Sequence, residues 1–335
     1  MRRLNQLRND ERGAAAVMVA IMMVVLLGFG AIAVDVGMMY AERAQLQNGA
    51  DSAVLAVANN CAKGTCGNTA GTAVQFADSN ANDGASTIDS LIFPTASSVT
   101  VTTSSNDGNG HDFIRLAFGS IFGVSTADVR ATATAAWGTP QSGNTLPWTF
   151  GQCAFNQSLT AGQLSDLQST GNFTGNPSAA HILLRSDNNA GYPGCTGQMG
   201  TSPGGFGWLD LDPTAGPCQT TIDLNTMEAG SNPGNDLNGC GGVLPTLLAE
   251  PVLIPIFTVS TGTGQNALYP IYGFAAFQLT GWNFSGNSHP DPLAPACTGN
   301  CRGVMGYFTR FVSLQEGLTL GSGPNLGGSI VQLTH

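Results

Sequence analysis

The sequence predicts an α+β protein with a long N-terminal transmembrane helix. This helix continues as an amphipathic rod, and a small α+β segment and a disulfide-braced β-rich domain follow it. Three observations predict this fold. Residues 13–34 contain no charged residue and no proline. The whole chain has 45 glycines and only 10% charged residues, a composition that favours strands, turns and long loops. The eight cysteines are an even number, as paired thiols require.

The apolar stretch at residues 13–34 is long enough to cross a bilayer. A helix rises about 1.5 Å per residue, so roughly 20 apolar residues span the hydrocarbon layer. Asp35 and Glu42 follow the stretch before the next basic residue. The arginines that precede it are Arg2, Arg3, Arg8 and Arg12. Because positively charged flanks stay in the cytoplasm, the sequence predicts a single-pass anchor with a cytoplasmic N-terminus.

A cleaved signal peptide is the alternative interpretation of this stretch. Residues 31–33 (Ala-Ile-Ala) fit the small-residue cleavage pattern, and the N-terminus is basic. The apolar region of a signal peptide is usually about 7–15 residues, and this one is longer. The sequence therefore favours a retained anchor.

The helical pattern continues beyond Val34. Apolar residues recur there at spacings near three and four, the period of one helix face. They are Val36, Met39, Tyr40, Leu46, Ala50, Ala53, Val54 and Val57. Polar residues fall mostly on the other side, and Asp35 is expected at the membrane interface in contact with water. A turn at residues 61–67 is expected to end the rod.

The next segment mixes helical and strand patterns. A helix is predicted over residues 70–80, and alternation predicts strands over 98–103 and 129–137. A second helix is predicted in between, with one apolar face formed by Phe113, Leu116, Ala117, Ser120 and Ile121. The glycine- and proline-containing residues 138–147 are predicted to be a linker.

The C-terminal part has the signals of a β-rich domain. A short helix is predicted over residues 158–168, with Thr160 and Gln163 spaced as a capping box. Pro255 is expected at a sheet edge or a bulge. Strands are predicted at 182–185, 206–211, 252–259, 269–279 and 306–314, which are rich in aromatic and β-branched residues.

Disulfide bonds are the expected role of the cysteines, because disulfides persist in an oxidising extracytoplasmic compartment. Spacing alone leaves the connectivity open. A structural zinc site is disfavoured, since no C-x2-C motif occurs and the histidines His111, His181, His289 and His335 are isolated. The candidate disulfide residues are Cys61, Cys66, Cys153, Cys195, Cys218, Cys240, Cys297 and Cys301.

Other motifs give weak functional signals. Residues 200–204 (Gly-Thr-Ser-Pro-Gly) match G-x-S-x-G, but the proline lacks the N–H that would help bind an oxyanion. A loop starting at Asp210 and Asp212 resembles the beginning of a calcium site, but position twelve of that loop is Thr221, which cannot supply the required carboxylate.

A net charge of −10 without a basic face argues against nucleic-acid binding. The side chains Trp148, Trp208, Trp282, Tyr269 and Tyr272 are candidates for a sugar-binding surface or for the core.

Residues 12–59 resemble the N-terminal segment of TadG-like proteins of the tight-adherence (Flp) pilus assembly system. The resemblance rests on an Arg-Gly start, the apolar span, the boundary residues Ala33, Asp35, Gly37 and Tyr40, and the stretch LQNGADSAVLAVA. The metal-binding DxSxS motif of larger family members does not occur. Met18 stands where type IV pilins have a glutamate.

The resemblance implies a non-enzymatic component of a pilus assembly and secretion apparatus, in the bacterial inner membrane. Its expected partners are membrane lipid and other pilus or Tad-system subunits, without cofactor, catalytic residue, metal or nucleic acid. A membrane-anchored glycan adhesin is the alternative. The predicted parts are a cytoplasmic tail (1–12), a transmembrane helix (13–34), an extracytoplasmic helix extension (35–60), a small α+β pilin-like segment (61–137), a linker (138–147) and a β-rich cysteine-containing extracytoplasmic domain (148–335).

Overall fold

The architecture is α+β, as the sequence predicts. The chain forms two compact units. Unit 1 comprises Met1–Val57, Asn68–Ala135 and Leu333–His335, and unit 2 comprises Ala58–Gly67 and Ala136–Gln332. The structure is a computed structural model that describes residues 11–81, 84, 86–173, 175, 180–186, 195, 206–230, 237, 239–262, 266–314 and 317–334.

Helix α1 (Glu11–Ala62) is a single 52-residue helix. It confirms the prediction that the apolar stretch and the amphipathic rod form one continuous helix. At about 1.5 Å per residue it is about 78 Å long. It ends at a turn in which Gly64 has φ +90°, and the Gly64 N–H donates to the Cys61 carbonyl at 2.8 Å. The Arg310 guanidinium donates to the Ala62 carbonyl at 2.5 Å, which satisfies one of the free carbonyls of the last turn.

Unit 1 packs a short helix and a sheet against the turns of α1 from Leu46 to Val57. Helix α2 (Thr69–Asp78) is capped by the Asn68 side chain, which accepts a bond from the Gly71 N–H. Strands β1 (Ser86–Thr95) and β2 (Ser98–Ser105) form an antiparallel hairpin. Strand β5 (Arg130–Thr145) pairs beside β2. In the core of this unit, Leu46 of α1 packs with Val129 and Ala131.

The helix predicted around residues 113–121 is wrong. The segment instead contains strand β3 (Ile114–Arg115) paired antiparallel with β4 (Thr126–Ala127), and a single 3-10 turn at Gly119–Phe122. Gly123 has φ +81°, a left-handed conformation that ends helical structure. The apolar spacing suggested a helix, but the closely placed glycines favour a tight hairpin.

Unit 2 is built on a sheet whose strands follow the order β7 (Ile182–Arg185), β14 (Gly303–Thr309), β12 (Leu268–Phe284), β11 (Val252–Phe257), β6 (Trp148–Gly151) and β8 (Phe206–Trp208). Its core contains clustered aromatic rings, with Phe277 and Phe150 packed against Phe308. Its helices and strands are β6 (Trp148–Gly151), α3 (Gln152–Gln157), α4 (Ala161–Thr170), β7 (Ile182–Arg185), β8 (Phe206–Trp208), β9 (Thr220–Asp223), β10 (Met227–Ala229), β11 (Val252–Phe257), β12 (Leu268–Phe284), β13 (Asn287–His289), β14 (Gly303–Thr309), β15 (Phe311–Ser313), β16 (Thr319–Gly321) and β17 (Gly328–Leu333).

Several local predictions for unit 2 are confirmed. Helix α4 begins with the predicted capping box, in which Thr160 Oγ1 accepts the Gln163 N–H and Gln163 Oε1 accepts the Thr160 N–H. The predicted strands correspond to β7, β8, β11, β12 and the pair β14–β15. The cysteines form four disulfides, with the pairs Cys61–Cys66, Cys153–Cys195, Cys218–Cys240 and Cys297–Cys301.

One prediction in this region is wrong, and the prediction for Pro255 is met in part. Residues 138–145 are not a linker but the second half of β5, which pairs with β9 and β16. Pro255 is in β11, which lies between β6 and β12, but it is close to a register shift between Ile256 and Phe257 in the β11–β12 pair. Thr149 Oγ1 donates to the Pro255 carbonyl at 2.9 Å, and backbone pairing with β6 begins only at Ile256. The missing proline N–H therefore falls where no ladder bond is needed.

Candidate functional site

The membrane-facing candidate is the exposed apolar surface of α1. The described part of the chain has one helix long and apolar enough to cross a membrane, and nearly all of its most apolar stretch is exposed. An apolar surface of this size in water is unusual for a folded protein. Its exposed large side chains are Val17, Met18, Val19, Ile21, Met22, Met23, Val24, Val25, Leu26, Leu27, Phe29, Ile32 and Val34. Length and composition fit a single-pass anchor.

Beyond the span, Met39 on the apolar face of α1 is partly buried against the core of unit 1, and this face is fully buried from Leu46 onward. Leu46, Ala50 and Val54 are buried, and the same face continues through Val57. Val36 and Tyr40 were assigned to this face by their spacing, but both are exposed. The described strands of unit 1 cover the later turns of the helix and leave these two side chains accessible.

Asp35 lies at the outer end of the span and is buried. Only 7% of its surface is exposed, so the expectation of a carboxylate in contact with water is wrong. The Phe118 N–H donates to both of its oxygens, at 3.1 and 3.2 Å. The carboxylate therefore fixes the segment around Phe118 to the end of the span. Sequence reasoning missed this pair because the two residues are 83 positions apart.

A shallow groove of about 350 Å³ runs along the exposed part of α1, beside the start of β5. We call it the α1 groove, and its lining residues are Val36, Met39, Tyr40, Arg43, Asp128, Val129 and Arg130. Arg130 is held by Asp89 and Asp128 at 3.0 and 2.9 Å, which fixes one wall. Apolar side chains flanked by charged ones are typical of protein contact surfaces.

Residues 13–60 match a family model described as putative Flp pilus-assembly TadE/G-like. This stretch is similar to TadE/G-like proteins, and we call it the TadE/G-like domain. This domain coincides with α1, from the start of the apolar span almost to the last helical turn. The match confirms the resemblance to TadG-like proteins and supports involvement in Flp pilus assembly, with contacts to other Tad-system components. No curated protein and no solved structure matches the chain.

The aromatic candidates for a glycan surface lie outside the TadE/G-like domain, and the structure places most of them in the core of unit 2. Trp148, Trp282 and Tyr269 are buried, and Trp208 is 9% exposed. Trp282 also donates its indole N–H to Asn287 Oδ1 at 2.7 Å. These buried rings pack the core and do not present a sugar-binding face.

The loop after β8 is a hydrogen-bonded turn. Asp212 accepts bonds from the N–H and hydroxyl of Thr214 and from the hydroxyl of Thr221. The side-chain bonds from Thr214 and Thr221, followed by the Thr214 N–H, lower the pKa of Asp212 to about 2. Across the described residues, no group of three His, Cys, Asp or Glu side chains is placed to hold a metal. Residues 200–204, with the G-x-S-x-G pattern, lie outside the described residues.

A polar cluster that the sequence did not indicate lies in unit 2. His181 Nδ1 is 2.6 Å from Asp291 Oδ2, and Thr280 Oγ1 donates to the same oxygen at 2.5 Å. Burial by itself would raise the pKa of Asp291, but the bonds from Thr280, the Leu293 N–H and His181 outweigh it and hold the pKa below its usual value. His181 and Thr280 both bind the Asp291 carboxylate, and no hydrogen bond joins the histidine to the threonine hydroxyl among the described contacts. The arrangement therefore fits a structural cluster better than a nucleophile paired with a base.

Proposed function

We propose that this protein is a non-enzymatic, single-pass component of a Tad pilus-assembly system, acting as a minor pilin-like subunit or an assembly factor. The observation that carries the proposal is the coincidence of the TadE/G-like match with a helix whose first half is apolar and exposed. A helix of this kind needs lipid or other apolar helices around it.

The orientation follows from the charges around the span. Arginines precede it and acids follow it, so the N-terminus is in the cytoplasm of an inner-membrane protein and all of the chain after the span is extracytoplasmic. The four disulfides support an extracytoplasmic location, because disulfides persist in oxidising compartments. Protease added outside spheroplasts is expected to digest both units and leave a short N-terminal fragment. Full protection of the chain would contradict this orientation.

The anchor is tested with charges placed in the span. The double variant Leu26→Arg/Leu27→Arg puts two cations near its centre, at a cost of about 6 kcal/mol by insertion scales. We expect the variant to leave the carbonate-resistant membrane fraction, and pilus number to fall. The matched control is Leu293→Arg/Leu314→Arg, two exposed leucines of unit 2, which is expected to stay in the membrane. A double span variant that remains membrane-bound would exclude the anchor.

The contact with other pilus subunits is assigned to the α1 groove. Its exposed side chains Tyr40 and Arg43 belong to the TadE/G-like match and follow the membrane span directly. The variant Tyr40→Ala/Arg43→Ala is expected to remain in the membrane but to co-purify less with Tad-system subunits after mild crosslinking. Undiminished co-purification would place the contact elsewhere. Failure of the wild-type chain to co-purify would overturn the assembly role itself.

A further inference from the structure

The hairpin formed by β3 and β4 presents an uncharged, apolar tip. Residues 116–125 contain no charged side chain. Ile121 is 74% exposed, and Phe122 and Val124 are more than half exposed. The nearest charges along the chain, Arg115 and Asp128, lie at the base of the hairpin. We call the exposed apolar side chains of this loop the apolar tip, and its residues are Phe118, Ile121, Phe122 and Val124.

The conformation of the tip is specific. The Val124 N–H donates to the Gly119 carbonyl at 2.9 Å, and the Leu116 N–H donates to the Ser125 carbonyl at 3.0 Å. A Cβ at position 119 would lie 2.1 Å from the Val124 carbonyl oxygen, so this close turn requires glycine. The turn directs large apolar side chains outward, although burying one such side chain contributes about 1.5–3 kcal/mol. A defined loop that exposes its largest residues is typical of an interaction surface.

The tip is attached to the outer end of the membrane span. Asp35 directly follows the span, and its carboxylate accepts the Phe118 N–H through both oxygens. Both residues belong to unit 1. The Phe118 end of the apolar tip therefore lies beside the outer end of the exposed apolar span.

Burial within the span itself indicates how far unit 1 reaches. Ala31 is one helical turn before Asp35 on the same face, and only 9% of its surface is exposed. Ala33, a residue of the same type on another face, is exposed. The folded chain therefore covers α1 about 5 Å below Asp35, at a depth that belongs to the apolar span.

We propose that the apolar tip inserts into the boundary between headgroups and acyl chains of the same bilayer that α1 crosses. Unit 1 then contacts the membrane twice, through the span and through the tip, and this fixes its tilt on the surface. Amphipathic helices that bind at this boundary bury their apolar face about 5–10 Å deep. The inference rests on the proposed membrane anchor.

The test uses tryptophan as a depth probe in the full chain. All natural tryptophans (Trp137, Trp148, Trp208 and Trp282) belong to unit 2, so the emission difference between variant and wild type isolates a new indole in unit 1. The tip probes are Ile121→Trp and, independently, Phe122→Trp. Leu26→Trp reports on the span, and Ile92→Trp is the matched control, because Ile92 is an exposed apolar residue of β1 in unit 1. Each protein is reconstituted in phosphatidylcholine vesicles with and without brominated acyl chains.

We expect brominated lipid to quench the added emission of the Leu26, Ile121 and Phe122 probes and to leave the Ile92 probe unchanged. Quenching at Leu26 without quenching at either tip probe would overturn the insertion of the tip and retain the anchor. Loss of quenching at Leu26 as well would overturn the anchor. A blue-shifted but unquenched tip probe would show that another protein surface covers the tip, which also rejects lipid as its partner.

Discussion

At the residue scale, Asp35 connects the helix to the segment that carries the apolar tip. Its two contacts with the Phe118 N–H are charge-assisted, and the Asp35 side chain is buried. A hydrogen bond to a charged group contributes about 1.5–3 kcal/mol, and loss of the carboxylate leaves a backbone donor without its acceptor. The geometry of the tip therefore depends on this side chain.

Replacement of Asp35 by alanine is expected to loosen the hairpin. Local opening should become easier, and amide exchange of residues 116–125 should accelerate about 10- to 100-fold, given the hydrogen-bond energy. Hydrogen–deuterium exchange with mass spectrometry measures this directly. Asp112→Ala, a change at an exposed acid of the same segment, is the control. Equal exchange in the two variants would show that Asp35 does not hold the tip.

Asp291 gives unit 2 a pH-dependent stability. Its pKa is below the ordinary 3.8 in the folded protein, so the ionised form is favoured by folding. The stabilisation by the ionised Asp291 carboxylate is therefore complete above about pH 4, and it is lost as the pH falls through the lower pKa of the folded protein. Asp291→Asn should reduce the free energy of unfolding by about 1–3 kcal/mol at pH 6, since hydrogen bonds to a buried charge are weakened.

Urea unfolding followed by tryptophan emission measures this difference, because all four tryptophans are in unit 2. The gap between wild type and Asp291→Asn should narrow as pH falls below 4. Asp210→Asn, at an exposed acid of the same unit, should stay close to wild type. A gap that is constant with pH would assign the effect of Asp291 to packing rather than to its charge.

At the element scale, Gly49 sets the approach of α1 to α2. A Cβ at this position would lie 3.3 Å from the Ala77 carbonyl oxygen and 3.4 Å from its Cα. Gly49→Leu should separate the two helices and destabilise unit 1 by about 1–3 kcal/mol, the usual cost of overpacking. The expected readout is faster amide exchange in α2. Gly37→Leu changes the same helix where nothing lies within 4 Å, and it should not affect α2. Equal effects would rule out a packing role for Gly49.

The sequence predicted correctly the elements that short-range patterns determine, such as helix caps and runs of apolar residues. The capping box of Thr160 and Gln163 needs no distant partner, and this prediction is confirmed. The strand Ile182–Arg185 was predicted from its composition and is confirmed, although it pairs with the distant strand β14. The second half of β5 was missed because small polar residues such as Ser142 and Asn144 have weak strand preference. They are in a strand because β9 and β16 pair with them, which is a tertiary effect.

The candidate functional site also has one part that the sequence predicted and one part that it did not. The apolar span was predictable because a run of apolar residues of sufficient length is a local signal. The burial of Asp35 and the role of Phe118 were not, since they depend on a contact between segments far apart in sequence. The uncharged run at residues 116–125 was a usable signal for the tip. Its apolar spacing, however, matched a helix as well as a loop.

At the scale of the whole molecule, the disulfide bonds are expected to stabilise unit 2 to different degrees. All four disulfides belong to unit 2, where they close loops of different lengths. Cys153 and Cys195 are 42 residues apart, whereas Cys297 and Cys301 are separated by 4. A crosslink restricts the unfolded chain more when the loop is longer. Unit 2 should therefore depend on these two bonds to different degrees.

Paired alanine variants measure this dependence. In the chain-entropy model, removing the Cys153–Cys195 bond costs about 4 kcal/mol, and removing the Cys297–Cys301 bond costs about 2 kcal/mol. The double variants Cys153→Ala/Cys195→Ala and Cys297→Ala/Cys301→Ala are compared by urea unfolding with tryptophan emission. The long-loop variant should unfold at the lower urea concentration, with the other as its control. If the two midpoints coincide or are reversed, native-state packing around the short bond outweighs loop entropy in unit 2.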